Sequence, residues 1–171
     1  MSAPRLITFA GLPGTGKSTL ARALADHLTA IYLRVDSAED ALRASALAPP
    51  DVMDAGYRVL WALAADNLAL GHDVIGDSVN PIALTRAGWD AVAQQTGARH
   101  SLVEIICSDP AEHRSRVETR RARLGQGPSW ADVTARPFEP ITAPRITLDT
   151  AGQSPDTTLT TLLSHLPHRT R

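Results

Sequence analysis

Residues 11–19 read GLPGTGKST, which satisfies G-x-x-x-x-G-K-[ST] through Gly11, Gly16, Lys17 and Ser18. The apolar run Leu6-Ile7-Thr8-Phe9-Ala10 precedes the motif, and a helical pattern of Leu20, Leu24 and Leu28 follows it. Strand, glycine loop and helix, in that order, form the setting in which this motif binds phosphate. Glycines let successive backbone N–H groups turn toward an anion. The N-terminus of the next helix adds partial positive charge. The expected phosphate-binding set is therefore Gly11, Pro13, Gly14, Thr15, Gly16, Lys17, Ser18 and Thr19. Lys17 would reach the β- and γ-phosphates, Ser18 would offer its hydroxyl to Mg²⁺, and Thr19 would stand beside the α-phosphate. The competing reading is a glycine turn that only caps a helix. Lys17 is the only lysine among 17 basic residues; the others are all arginine. A chain that otherwise discards lysine keeps one where a compact ammonium meets phosphate.

The rest of the chain narrows the possibilities. Its 171 residues suit one domain, 1–171, with a sizeable core. A net charge of −1 supplies no global field toward nucleic acid or membrane. No apolar run approaches the roughly 20 residues of a membrane span. Pro4 and Arg5 lead straight into the first strand, with no secretory pattern before them. Cys107 is alone, which fits a reducing compartment, and the expected location is cytoplasmic. It falls in a strand pattern and reads as a small buried residue. The six histidines show no metal-ligand spacing, so no zinc is expected.

Apolar patterning alternates between the two periodicities. Strands are expected at 5–10, 31–35, 74–75, 101–107 and 145–148, and helices at 16–28, 37–46, 51–70, 81–96, 109–123 and 155–165. Pro49-Pro50 separates the second and third helices. Pro81 and Asp109-Pro110 read as helix starts. Gly125-Gln126-Gly127-Pro128 breaks the fifth helix, residues 129–135 could add a turn or two, and the end from Pro167 is expected to fray. Such alternation predicts an α/β fold, a mainly parallel five-stranded sheet with helices on both faces. Ligands then gather at the carboxyl ends of the strands.

Polar residues recur at those ends: Asp36, Asp77, Ser108-Asp109 and Asp149-Thr150. Asp77 reads as the carboxylate that holds Mg²⁺, with a helix cap before Pro81 as the alternative; Ser78 and Asn80 would order the same loop. Asp36 is the candidate general base for a hydroxyl acceptor, and it could also cap the helix at 37–46. Arg114, Arg116, Arg120, Arg121 and Arg123 crowd one helix end before the glycine break. They suggest a lid, about 114–128, that closes over a nucleotide and neutralises the transferred group. A solvated basic helix end or a nucleic-acid patch would look similar. Trp130 and Phe138 could pack near an adenine or in the core. Tyr57, Arg58, Trp61 and Arg43 are weaker candidates for an acceptor pocket.

The ordered motifs resemble the AAA-type family of small P-loop kinases, which includes the polynucleotide kinase kinase domain and lies near zeta toxins, chloramphenicol phosphotransferase and gluconate kinase. The resemblance spans about residues 5–165. It rests on GLPGTGKST, on Asp36, on GHDVIGDSVNP with Arg86 and Trp89, on CSDPAEHRSRVETR, and on PSWADVTARPFEP followed by LDTAG. It implies a three-layer P-loop NTPase fold with a short helical lid. It implies ATP and Mg²⁺ as cofactors, Lys17 and Ser18 in the phosphate and metal roles, Asp77 in the Walker-B-like place, Asp36 as the residue that activates the acceptor, and Arg116 and Arg120 as paired lid arginines. Polynucleotide kinases carry arginine three residues after the base. Here Glu39 stands there, and the stretch after Asp77 is one residue shorter, which argues against a 5′-hydroxyl nucleic-acid acceptor. The expected activity is ATP-dependent transfer of the γ-phosphoryl group to a hydroxyl of a small molecule, by a monomer or homodimer. The alternatives are an ATPase or nucleotide switch without an acceptor, and a nucleic-acid 5′-hydroxyl kinase.

Overall fold

The computed structural model describes residues 3–46, 49 and 51–167. Five strands, β1 (Arg5–Ala10), β2 (Ile31–Arg34), β3 (Val74–Asp77), β4 (Arg99–Ile106) and β5 (Ile146–Asp149), form one parallel sheet in the order β2-β3-β1-β4-β5. β1 is central. It pairs with β3 from Leu6↔Val74 to Thr8↔Gly76 and with β4 from Arg5↔Arg99 to Ala10↔Glu104. The chain leaves β1 for one side of the sheet and later returns to the other. The loop after β1 therefore lies at the switch point where a parallel sheet opens a crevice.

The helices are α1 (Lys17–Leu28), α2 (Val35–Arg43), α3 (Ala55–Ala69), α4 (Ala83–Thr96), α5 (Pro110–Leu124), α6 (Trp130–Ala135) and α7 (Pro155–His165). Ile7 and Phe9 face α1 and α7 and pack with Leu20, Leu24 and Leu162. Leu6 points the other way, toward Leu60, Ala64 and Leu68 of α3 and Trp89 and Val92 of α4. Helices on both faces explain why β1 is apolar through most of its length rather than alternating. Thr8, buried within β1, is satisfied by His100 Nε2 at 2.8 Å, and His100 Nδ1 lies 2.7 Å from Asp90. The result is the expected three-layer P-loop fold. No helix among the described residues is long and apolar enough to cross a membrane.

Several boundaries differ from the sequence reading. Helix α4 starts at Ala83, and Pro81 stays outside it. The Glu139 N–H donates to the Pro81 carbonyl at 2.8 Å, and the Glu139 carboxylate accepts from Ala83 N at 2.5 Å. A residue far along the chain thus holds Pro81 in the loop and caps the helix. Helix α2 starts at Val35, two residues early, and α3 starts at Ala55 rather than 51. Strand β4 starts at Arg99, in register with Arg5, and ends before Cys107, which is only partly buried. The break at Pro49-Pro50 and the frayed end at 167–171 lie largely outside the described residues.

Trp89 is fully buried, and its ring lies against Gly76, where an added Cβ would sit 2.9 Å from it. Trp89→Ala is expected to cost about 3–5 kcal/mol of stability. Leu84→Ala, on the same helix but exposed, should change stability by no more than about 0.5 kcal/mol. Urea unfolding midpoints of both variants check the contrast.

Candidate active site

The loop between β1 and α1 is drawn tightly against its surroundings. Gly11 has φ 137°, and a Cβ there would stand 2.2 Å from the Ile105 carbonyl oxygen. Gly14 has φ 86°, and its Cβ would stand 2.4 Å from Val117 Cγ2. Neither place admits a side chain, and both conformations favour glycine. Gly16 occupies the N-cap of α1 with no side-chain capping bond, which leaves first-turn N–H groups for an anion.

Three outside contacts hold the loop. The Gly11 N–H donates to the Val79 carbonyl at 3.0 Å. His113 Nε2 lies 2.8 Å from the Pro13 carbonyl oxygen. The Thr150 hydroxyl reaches the Thr15 carbonyl at 2.9 Å. Asn80 supports the neighbouring strand end: its side-chain amide donates to the Phe9 carbonyl at 2.8 Å, and its N–H donates to the Tyr57 hydroxyl at 3.1 Å.

Lys17 is buried, and its ammonium donates to the Leu12 carbonyl at 2.9 Å. Burial lowers its pKa to about 8, while Asp77 and Asp36 hold it up and Arg120 and Arg136 push it down. Asp77 is 2% exposed and accepts a 2.6 Å hydrogen bond from the Tyr32 hydroxyl. That phenol is pushed up to about 12, first by burial and then by its bond to the carboxylate. Asp36 is half exposed and ion-paired with Arg34. Arg34 Nε also lies 3.9 Å from Asp77. Asp36 is not the cap of its helix. Arg34 holds the cap position without a side-chain bond, and Asp36 lies in the first turn, where the helix dipole favours a carboxylate. Its oxygens are therefore not spent on backbone N–H groups.

Two cavities meet at the loop. The smaller, about 340 Å³, is lined by Thr19, Leu20, Arg116, Thr150, Gln153 and Pro155. The larger, about 560 Å³, is lined by Arg34, Asp36, Glu39, Arg43, Asp77 and Arg136 among others. Gly14, Lys17, Ser18 and Arg120 border both. The fold thus gathers Lys17, Ser18, Asp36, Asp77 and Arg120 around one cavity and puts Thr19 and Arg116 on the other. Pro13 borders the larger cavity. Thr15 is turned inward, with its hydroxyl donating to the Leu12 carbonyl at 2.9 Å.

Arg116 is engaged rather than free. Its guanidinium bonds the Thr150 hydroxyl at 2.8 Å, the Thr150 carbonyl at 2.9 Å and Glu112 at 2.5 Å. Arg34, Tyr32 and Gln153 join the site without having been singled out in the sequence, and so do Thr150 and Arg136, which the sequence marked only as a strand end and as part of a motif. The only signal for them was position, at the carboxyl ends of strands or after the glycine break. Trp130 and Phe138 border neither cavity. Trp130 meets His113 edge to face, with ring centroids 5.0 Å apart, and Phe138 packs beside Ala10, Leu102 and Ile141. Tyr57 and Trp61 belong to the core cluster under α3 and α4, and Arg58 pairs with Asp54 at the surface. Arg43 does line the larger cavity.

A family model described as AAA domain matches residues 6–141. No curated protein matches the chain. Among solved structures, a Chloroflexus aurantiacus j-10-fl protein assigned as a kinase has a TM-score of 0.77 at 24% identity, over 99% of this chain and 100% of that one. The Mycobacterium tuberculosis APS kinase in complex with AMPPNP and APS has a TM-score of 0.68 at 22% identity, over 96% and 98%. A gluconokinase from Sinorhizobium meliloti 1021 has a TM-score of 0.64 at 17% identity, over 96% and 92%. At these identities the likeness establishes the fold.

The depressed pKa of Lys17 has a consequence for stability. Between about 8 and the unfolded value of about 10.5, the unfolded chain binds the proton that the folded chain has released. Stability contributed by this group therefore rises with pH across that window, and the penalty is fully present below it. Lys17→Met should stabilise the protein at pH 7, by an amount on the order of 1–3 kcal/mol, and the gain should shrink toward pH 10. Guanidinium unfolding at the two pH values measures it.

Proposed function

The chain belongs to the AAA domain family, whose model spans residues 6–141, and from that membership and the site's geometry we propose that it transfers the γ-phosphoryl group of ATP to a hydroxyl of a small molecule. One observation carries this reading. Asp36, a carboxylate free of capping duty, shares a cavity with Lys17, Ser18, Asp77 and Arg120, so a base and a phosphate loop border the same space. An APS kinase and a gluconokinase share the fold, which supports a kinase.

The smaller cavity suits the nucleoside and the larger one the acceptor. The loop amides and Lys17 bind the β- and γ-phosphates, and Arg120, on the border of both cavities, neutralises charge on the moving group. Asp36 accepts the acceptor's hydroxyl proton and orients its oxygen in line with the γ-phosphorus. A bond forms between that oxygen and phosphorus. The bond from phosphorus to the β,γ-bridging oxygen breaks, and ADP leaves with the electron pair.

Magnesium fits the residues present. Asp77 offers a buried carboxylate and Ser18 a hydroxyl on the same cavity. Hard oxygen donors of this kind suit Mg²⁺, which keeps several waters and completes its shell with substrate phosphates. Among the described residues no group of three or more His, Cys, Asp or Glu could hold a metal alone. The ion would supply charge neutralisation across the β- and γ-phosphates. The described residues lining the larger cavity include no aromatic side chain on which a nucleic-acid base could stack, which favours a small acceptor.

Asp36→Asn is expected to reduce transfer from γ-labelled ATP to a hydroxyl-compound panel by at least about 100-fold, with nucleotide affinity within about twofold of the parent. Undiminished transfer in that variant would remove Asp36 from the base role. Phosphate release to water without a phosphorylated product would favour the ATPase reading.

A further inference from the structure

Two guanidinium groups in the larger cavity have no part in the transfer just described. Six cations and four carboxylates line that space. Arg34 is paired with Asp36 and lies near Asp77. Arg43 is paired with Glu39 and Asp40. Lys17 and Arg120 also border the nucleotide cavity, where the phosphates use them. Arg121 and Arg136 remain. Both border the larger cavity and not the smaller; neither guanidinium makes a hydrogen bond or close ion pair with a described residue, although the exposed Asp132 carboxylate is near enough to attract both.

We propose that the acceptor is a small, non-aromatic hydroxyl compound carrying an anionic group, a carboxylate or a phosphate or sulfate ester, and that Arg121 and Arg136 bind that group. The proposal rests on the phosphotransfer reading. An arginine fork matches the planar or tetrahedral oxygens of such groups with paired, charge-assisted hydrogen bonds. The two arginines come from different elements: Arg121 from α5, Arg136 from the end of α6. Asp36 comes from α2, so a bound acceptor would be gripped at its anion by two elements and at its hydroxyl by a third.

The seat of Arg136 is firm. Helix α6 is closed by a capping box between Ser129 and Asp132, buries Val133 and sets Trp130 against His113. Arg136 also lies close enough to oppose the charge on Lys17, and an anion bound between them would relieve that repulsion. The apolar lining residues, Pro13, Val79, Val117, Leu124 and Pro128, are small patches suited to a short carbon skeleton.

The test uses the full chain saturated with Mg²⁺ and AMPPNP, so that the loop is filled. Sodium sulfate is titrated in while arginine Nε–Hε resonances are followed by NMR. Saturable binding is expected, weakened about tenfold in Arg136→Gln and in Arg121→Gln, with both variants still saturated by AMPPNP. Both residues are exposed, so the variants should fold as the parent does. Absence of saturable sulfate binding, or binding unaltered in both variants, overturns the anion subsite and leaves the kinase reading standing. Failure of AMPPNP itself to bind overturns both. In a transfer assay with matched pairs, glycerol against glycerate and glucose against gluconate, the anionic member should be the better acceptor. Equal or better transfer to the neutral member overturns the proposal.

Discussion

A buried ammonium sets the terms for the rest of this molecule. Lys17 is enclosed at the head of α1, and its nearest partner is a neutral carbonyl, that of Leu12. Holding a cation there is costly. Asp36 and Asp77 offset part of the cost at a distance, while Arg120 and Arg136 add to it. The site thus carries surplus positive charge in a fixed arrangement. Charge fixed in this way has already met the reorganisation cost of receiving an anion.

The charge stays in place because the loop around it is held from several directions. Val79 after β3, His113 on α5 and Thr150 after β5 each bond a loop backbone group. All three approach from the same edge because the strands are parallel. Arg116 extends the chain of contacts, since it fixes Thr150, which fixes Thr15. Helix α5 is the common support. Its successive turns place His113 and Val117 beneath the loop, Arg116 beside the smaller cavity, Arg120 on the border of both and Arg121 beside the larger one. The three- and four-residue spacing of a helix face makes that progression possible. A change in α5 would therefore be felt at both cavities.

Local contacts limited what could be read in advance. Asp36 was legible as a strand-end carboxylate but not as an ion-paired, first-turn residue, because Arg34 and the early start of α2 depend on where β2 meets β3. Pro81 has every local mark of a helix start. It lost that place to Glu139, a partner that only folding brings near. Trp130 and Phe138 were open between a base and the core; only folding decides for His113 and the cluster at Ala10 as their neighbours. Arg121 and Arg136 carry no local sign that separates them from the other arginines. Only the cavity walls do.

The sequence by itself determined the phosphate loop, the parallel order of strands and helices, and the carboxylates at the strand ends. Each of these follows from short-range constraints: glycine backbone freedom, apolar periodicity, and the polarity of residues that leave a sheet. The tertiary structure alone decided which arginines are bonded within the fold and which line a cavity, how the space beside the loop divides into two cavities, and how far the pKa of Lys17 falls. Those outcomes depend on burial and on charges distant in sequence, and both come into being only when the layers close.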